Sequence, residues 1–137
     1  MTTAHAAAAA VNALGDAFLT GDPDTVLGHF AGRGDVVYAG SEAGEVAVGT
    51  DAIRSLLQAL FSRDERYSWR TRSISCAGND DMLYVVADAD LFIHRAAPGG
   101  SAGAAIEEVP YRVSGVLERD GASWRWRLCH GSEPSQP

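Results

Sequence analysis

The residues best placed to do chemistry sit in one short run, YVVADADLFIH, from Tyr84 to His94. In an extended strand Tyr84, Val86, Asp88, Asp90, Phe92 and His94 share a face. If that face lines a cavity, Asp88 with His94 is a candidate acid–base pair, able to take a proton from a small substrate and return it. A carboxylate inside an apolar site needs a partner, because burying it alone is costly. Arg127, on the last strand, is the candidate partner, or a bidentate anchor for an acidic ligand. Each residue also has a plain structural role open to it. Asp90 can sit solvated at a rim, His94 can be a rim residue, and Arg127 can form a surface ion pair worth under about 1 kcal/mol. Asp88 is expected in the pocket, with Asp90 left open. Cys129 is expected to line the cavity as a small apolar residue; only Arg127 is near enough in sequence to activate it, which argues against a nucleophile. The faces taken by Arg112 and Ser114 depend on how the last hairpin is gapped.

Other chemistries find no support. The four histidines and two cysteines show no metal-ligand spacing, so no metal is expected. No glycine-rich phosphate loop follows a strand, so no nucleotide or other cofactor is expected. The 137-residue chain carries a net charge of −7, and all its basic side chains are arginine. Such a chain has no electrostatic reason to seek nucleic acid or an anionic membrane. Cys76 and Cys129 lack the spacing of a disulfide framework, and the N-terminal stretch lacks a signal peptide's basic and apolar regions. A cytoplasmic protein with reduced thiols is expected. The Arg33-Gly34-Asp35 triplet is taken as chance.

The elements that must position these residues follow from periodicity. Ala4 to Thr20 has Val11, Leu14 and Phe18 at helical spacing, ended by Gly21. Asp22 and Pro23 read as the cap and first turn of a second helix reaching about Ala31, with Phe30 on its apolar face. Asp35–Ala39 and Glu45–Val48 form a small hairpin. Thr50 is expected to cap a third helix, from Asp51 to about Ser62, with Leu57 in its apolar stripe. Four alternating segments follow: Arg66–Cys76, Met82–Arg95, Ile106–Glu118 and Trp124–Ser132. A Gly/Ala-rich stretch at 96–105 is expected as a hairpin tip, and 133–137 as a loose tail. The whole is one domain, 1–137, with its core in 6–132. Three helices and an antiparallel meander make an α+β fold, in which a curled sheet closed by helices leaves a cone-shaped cavity suited to a small, largely apolar ligand.

The last strand, WRWRLCHGS, places Trp124, Trp126, Leu128 and His130 on one face and Arg125, Arg127, Cys129 and Gly131 on the other. A patch this apolar is too large to leave wet, so a symmetric homodimer through it is expected; the alternative is that the tryptophans are core beneath a helix.

Element order and four local motifs (FLTGDPDTVLGHFA, GTDAIRSLL, GVLERDGASW, and Trp124, His130 and Ser132 spaced W-x5-H-x-S) resemble the SnoaL-like branch of the nuclear transport factor two-like, ketosteroid isomerase-like superfamily. The resemblance spans about Ala7 to Pro134 and implies the cystatin-like α+β roll, a ligand cone and a dimer through the convex face. By this likeness Leu14, Phe18, Phe30, Leu57, Tyr84, Val86, Asp88, Tyr111, Arg127 and Cys129 would line the ligand site. The isomerase chemistry does not carry over: the base falls on Ala39, the helix-one tyrosine on Leu14, the supporting tyrosines on Phe30 and Leu57, and the acid on Gly115 or Ser114. The superfamily's hydrolases suggest Asp88, Asp90 and Arg127 around one water, although their Asp–Arg spacing differs from that found here. Three functions stay open: binding a small molecule, acting as a hydrolase, dehydratase or cyclase through Asp88 with His94 or Arg127, and serving as an assembly module. His130 and Ser132 fit a structural signature of the family better than a catalytic couple.

Overall fold

Residues 2–95 and 105–135 are described in a computed structural model; Met1, residues 96–104 of the expected hairpin tip at 96–105, and residues 136–137 lie outside them. Helix α1 (Thr3–Leu19) starts where the Thr2 hydroxyl accepts from the His5 amide, and it buries Val11, Leu14 and Phe18. Gly21, at φ 68°, turns the chain, and Asp22 caps the short α2 (Pro23–Leu27). That helix ends four residues before the expected Ala31, because the chain leaves it to pair with the C-terminal strand. Ala31 donates to the Trp126 carbonyl and the Trp126 amide to His29, each at 2.8 Å. Strands β1 (Val37–Ala39) and β2 (Val46–Val48) form the small hairpin. Helix α3 (Thr50–Phe61) is capped by Gly49 at φ 89°, with no side-chain cap bond, so Thr50 is its first residue rather than its cap.

The rest is long hairpins: β3 (Glu65–Gly78), β4 (Met82–Arg95), β5 (Ala105–Asp120) and β6 (Ser123–Ser132). Sequence order suggests a meander with a separate small hairpin. Instead β1 pairs with β6 in parallel, Tyr38 opposite Cys129, and one six-stranded sheet results, ordered β2-β1-β6-β5-β4-β3. Two register shifts, between Thr71 and Ser73 on β3 and opposite Val116/Leu117 on β6, raise the local twist.

Helix α1 is fixed against the concave face. A side chain at Gly15 would stand 2.8 Å from the Trp69 carbonyl oxygen, so glycine is what allows helix and strand to approach this closely. The Trp69 indole donates to the Val11 carbonyl at 2.8 Å. Asn12 accepts from the amide and hydroxyl of Thr71, serving the backbone beside the β3 bulge. The core lies between helices and sheet: Val11, Leu14, Phe18, Ile53 and Leu57 from the helices meet Trp69, Leu83, Val85, Ala87, Leu117 and Trp126 from the strands.

Candidate functional site

At one end of this core the concave face opens into a cavity of about 190 Å³. Its floor is aromatic. Phe18 comes from α1, Tyr38 from β1, Tyr67 and Trp69 from β3 and Tyr111 from β5, with Leu60, Leu91 and Ile93 alongside. Phe18 is the hub: its ring lies 4.8 Å from Trp69 and 5.8 Å from both Tyr38 and Phe61, centroid to centroid. Trp69 and Tyr111 stack at 5.7 Å. The strand-borne rings point inward because their strands alternate, one residue in two turning to the cavity, and Phe18 does so from the buried stripe of α1. Gly131 makes room for Tyr111: a side chain there would collide with the tyrosine hydroxyl.

The mouth is charged. The Arg63 guanidinium holds the Glu42 carboxylate through two hydrogen bonds, at 2.8 and 3.1 Å. Arg95 sits between Glu65, at 2.9 Å, and Glu107, at 2.5 Å. Tyr67 donates to Glu65 at 3.1 Å. One Glu45 oxygen accepts the Glu42 amide at 2.9 Å. Glu133 also reaches this mouth, so the expected loose tail contributes to the cavity wall from its first residue.

Burial pushes the Tyr38 hydroxyl well above the usual tyrosine range, with neighbouring Tyr111, Cys129 and Glu45 adding to the effect. Burial raises Tyr111 as well, reinforced by Cys129, Glu45 and Glu133. Both phenols therefore stay protonated and can donate hydrogen bonds throughout the neutral range. Both line the cavity, and among the described residues neither hydroxyl makes a side-chain hydrogen bond.

The residues proposed from sequence are largely elsewhere. On β4 the odd positions Leu83, Val85, Ala87, Ala89 and Leu91 are buried, and the even positions face outward. Asp88 is therefore on the convex face, its side chain 55% exposed, paired with Arg112 at 3.1 Å. Asp90 lies outside too, 3.6 Å from Arg72. Tyr84 and Val86 share this exposed face. The His94 ring shares a 3.0 Å hydrogen bond with the Ser68 hydroxyl, on the outward register of the same strands. Arg127 reaches Asp35 at 2.8 Å and Glu118 at 3.5 Å, not Asp88. The acid–base constellation of Asp88, His94 and Arg127 is not assembled. The physical reason is the one that made the acids suspicious: a sheet face carrying two carboxylates and an imidazole costs less wet than buried.

Phe18 and Tyr111 do line the cavity, whereas Leu14, Phe30 and Leu57 lie in the core behind it. Cys129 does not line the cavity as expected but is buried in the core, where burial raises its thiol far above the ordinary range and keeps it neutral. The expected Trp124–Trp126–Leu128–His130 face is divided. The β6 bulge falls at Arg127, where one extra residue reverses which way the strand's side chains point. Trp126 is thus in the core and Trp124 packs against it, while Leu128 and His130 face outward. The same register places Ser114 outward opposite His130, and Arg112 opposite Asp88.

Sequence reasoning missed Tyr38, Tyr67, Trp69 and the glutamate–arginine mouth. The available signal was the odd-position face of β4, which is free of charge from Leu83 to Ile93. Its neighbours in the sheet lead directly to Trp69 and Tyr67 on one side and Tyr111 on the other.

Residues 7–136 match the sequence profile of the SnoaL-like domain, and the chain belongs to that family. No curated protein matches it. Its fold is similar to that of a Streptomyces avermitilis protein provisionally named a dehydratase of the NTF2-like family (15% identity, TM-score 0.79, covering 96% of this chain and 97% of that one). It is also similar to a nuclear transport factor 2 (NTF2-like) superfamily protein of Salmonella enterica (13% identity, TM-score 0.70, 95% and 89% covered). A ketosteroid isomerase-like protein of Erwinia carotovora is a further structural neighbour (18% identity, TM-score 0.63, 94% and 97% covered). At these identities the likeness establishes the α+β roll. Among the described residues no helix is long and apolar enough to cross a membrane.

Proposed function

We propose that this SnoaL-like chain binds a small molecule with a ring-sized apolar body in the aromatic cavity. The observation that carries this reading is the pair of buried, protonated tyrosines, Tyr38 and Tyr111, facing the cavity with their hydroxyls free of described partners. They would fix a carbonyl or hydroxyl group of the ligand while the rings of Phe18 and Trp69 hold its body. The cavity volume lies below the roughly 300–1,000 Å³ of drug-sized sites, which favours a compact ligand. The hydrolase, dehydratase or cyclase alternative loses its support here, because Asp88, His94 and Arg127 are dispersed.

The functional unit we propose is a homodimer formed through the convex face. Tyr84, Val86, Leu128 and Val48 are exposed there, and strand register joins them through Val116 and Val37 into one apolar band across the sheet. A second copy of the same band is a self-complementary cover. Two unpaired cysteines fit a reducing, cytoplasmic setting.

The binding reading is tested by titrating small aromatic ketones and phenols against the wild-type chain and Leu91→Trp, which fills the cavity from β4. Wild type should bind members of the panel and the variant, with its far-ultraviolet circular dichroism unchanged, should not. Equal binding by both proteins would place the ligand elsewhere and sink the proposal.

A further inference from the structure

The mouth of the cavity assigns a charge to its ligand. Among the described residues four carboxylates line the site, from Glu42, Glu45, Glu65 and Glu133, against two guanidiniums, from Arg63 and Arg95. Both guanidiniums are already engaged: Arg63 is forked onto Glu42, and Arg95 is held between Glu65 and Glu107. An anionic ligand would have to break one of these pairs. Glu45 and Glu133 are in the opposite position, with no arginine or histidine partner among the described residues. The floor below these carboxylates includes the rings of Trp69, Tyr38 and Tyr111, and aromatic faces attract cations. A second, independent observation points to a ligand. The Tyr38 side chain is only 4% exposed and opens into this cavity, yet its hydroxyl has no partner among the described residues.

We infer that the cavity selects an organic cation: a small primary or secondary amine, ionised at neutral pH, on an aromatic body. The ring lies among Phe18, Trp69 and Tyr111, and the ammonium group is drawn by the carboxylates of Glu45 and Glu133. This inference rests on the proposed ligand cavity and specifies the class of molecule that enters it. It gives Glu45, whose one described bond is to the Glu42 amide, and Glu133 a cationic partner that neither has among the described residues, and it matches a chain whose overall charge is negative.

The test is calorimetric titration of the full chain with three near-isosteric probes, 2-phenylethylamine, 2-phenylethanol and phenylacetate. The amine should bind about tenfold more tightly than the alcohol, as expected for a desolvated cation–π contact assisted by carboxylates, and phenylacetate should bind weakest. Raising the salt concentration should narrow the gap. Glu45→Gln and Glu133→Gln should each reduce the amine's advantage, and together remove it, while the alcohol's affinity holds. Asp88→Asn, on the outer face, should leave the ratio unchanged. An alcohol that binds as well as the amine overturns the cation inference but leaves the cavity as a binding site. A preference for the amine that survives the double glutamine variant overturns it too. Failure of all three probes to bind overturns both this inference and the ligand-cavity reading beneath it.

Discussion

Along β4, neighbouring residues belong to different surfaces. Leu83, Val85, Ala87, Ala89 and Leu91 press into the core and the cavity wall; Tyr84, Val86, Asp88, Asp90 and Phe92 look out from the convex side. Both sets contain large apolar side chains, so hydrophobicity alone does not separate them. Charge does. The inner set is uncharged over its whole length, and the outer set, continued to His94, carries every ionisable group of the strand except Arg95 at its end. The inner face packs against helices and spares only the space a ligand would take. The outer face alternates ion pairs with a bare apolar band, a composition suited to meeting another protein surface rather than a small molecule.

Trp126→Ala attacks the inner side hardest. Trp126 is 1% exposed, and losing it should lower stability by about 3–5 kcal/mol in chemical denaturation, enough to unfold many domains of this size. If Trp126 were instead part of an exposed dimer patch, as its sequence spacing suggests, the monomer's stability would change little.

Val86→Arg attacks the outer side. Placing a charge at the β4 end of the convex band should convert a dimer into a monomer by light scattering, with the far-ultraviolet spectrum unchanged. A wild-type chain that is monomeric at micromolar concentration would remove the dimer proposal outright.

The smallest effect is the one pH exerts on the inner side. Burial raises the ionisation ranges of Tyr38, Tyr111 and Cys129 in the folded state. For such groups the unfolded chain loses protons first, so their contribution is intact at neutral pH. Stability should then decline as pH rises past the ordinary cysteine and tyrosine ranges, about 8.5 to 10. Denaturation midpoints at pH 7.5 and 10.5 check this: no decline would mean that these groups are as solvated in the folded protein as in the unfolded one.

Much of the fold was legible in the sequence. The three helices, the long hairpins and the α+β class follow from Val11, Leu14 and Phe18 at helical spacing and from alternation in the strands. The family resemblance rested on motifs such as the GVLERDGASW hairpin, whose Gly121 does adopt the positive φ that a tight turn uses. Two things were hidden. The bulge at Arg127 inserts a residue without any compositional mark, so Trp126 and Leu128 look like neighbours on one face when they lie on opposite ones. The faces of β4 were a different matter. Their charges were visible, but reading Asp88 as catalytic placed them inside, against the desolvation cost that actually decides the orientation. The cavity's tyrosines were harder to see, because Tyr38 enters only through a strand pairing that joins distant parts of the chain.

That pairing has a consequence for how the protein comes together. Most of the sheet is built from hairpins whose strands follow one another in the chain and can zip from their turns. The β1–β6 contact is different, setting Val37 beside Leu128 and Tyr38 beside Cys129 across most of the sequence. Closing so long a loop costs entropy before the contact repays it, and such non-local contacts slow folding. On a ribosome, β6 emerges after the five other strands of the sheet. The aromatic cavity, with Tyr38 on one of its walls, is therefore completed only when β6 arrives.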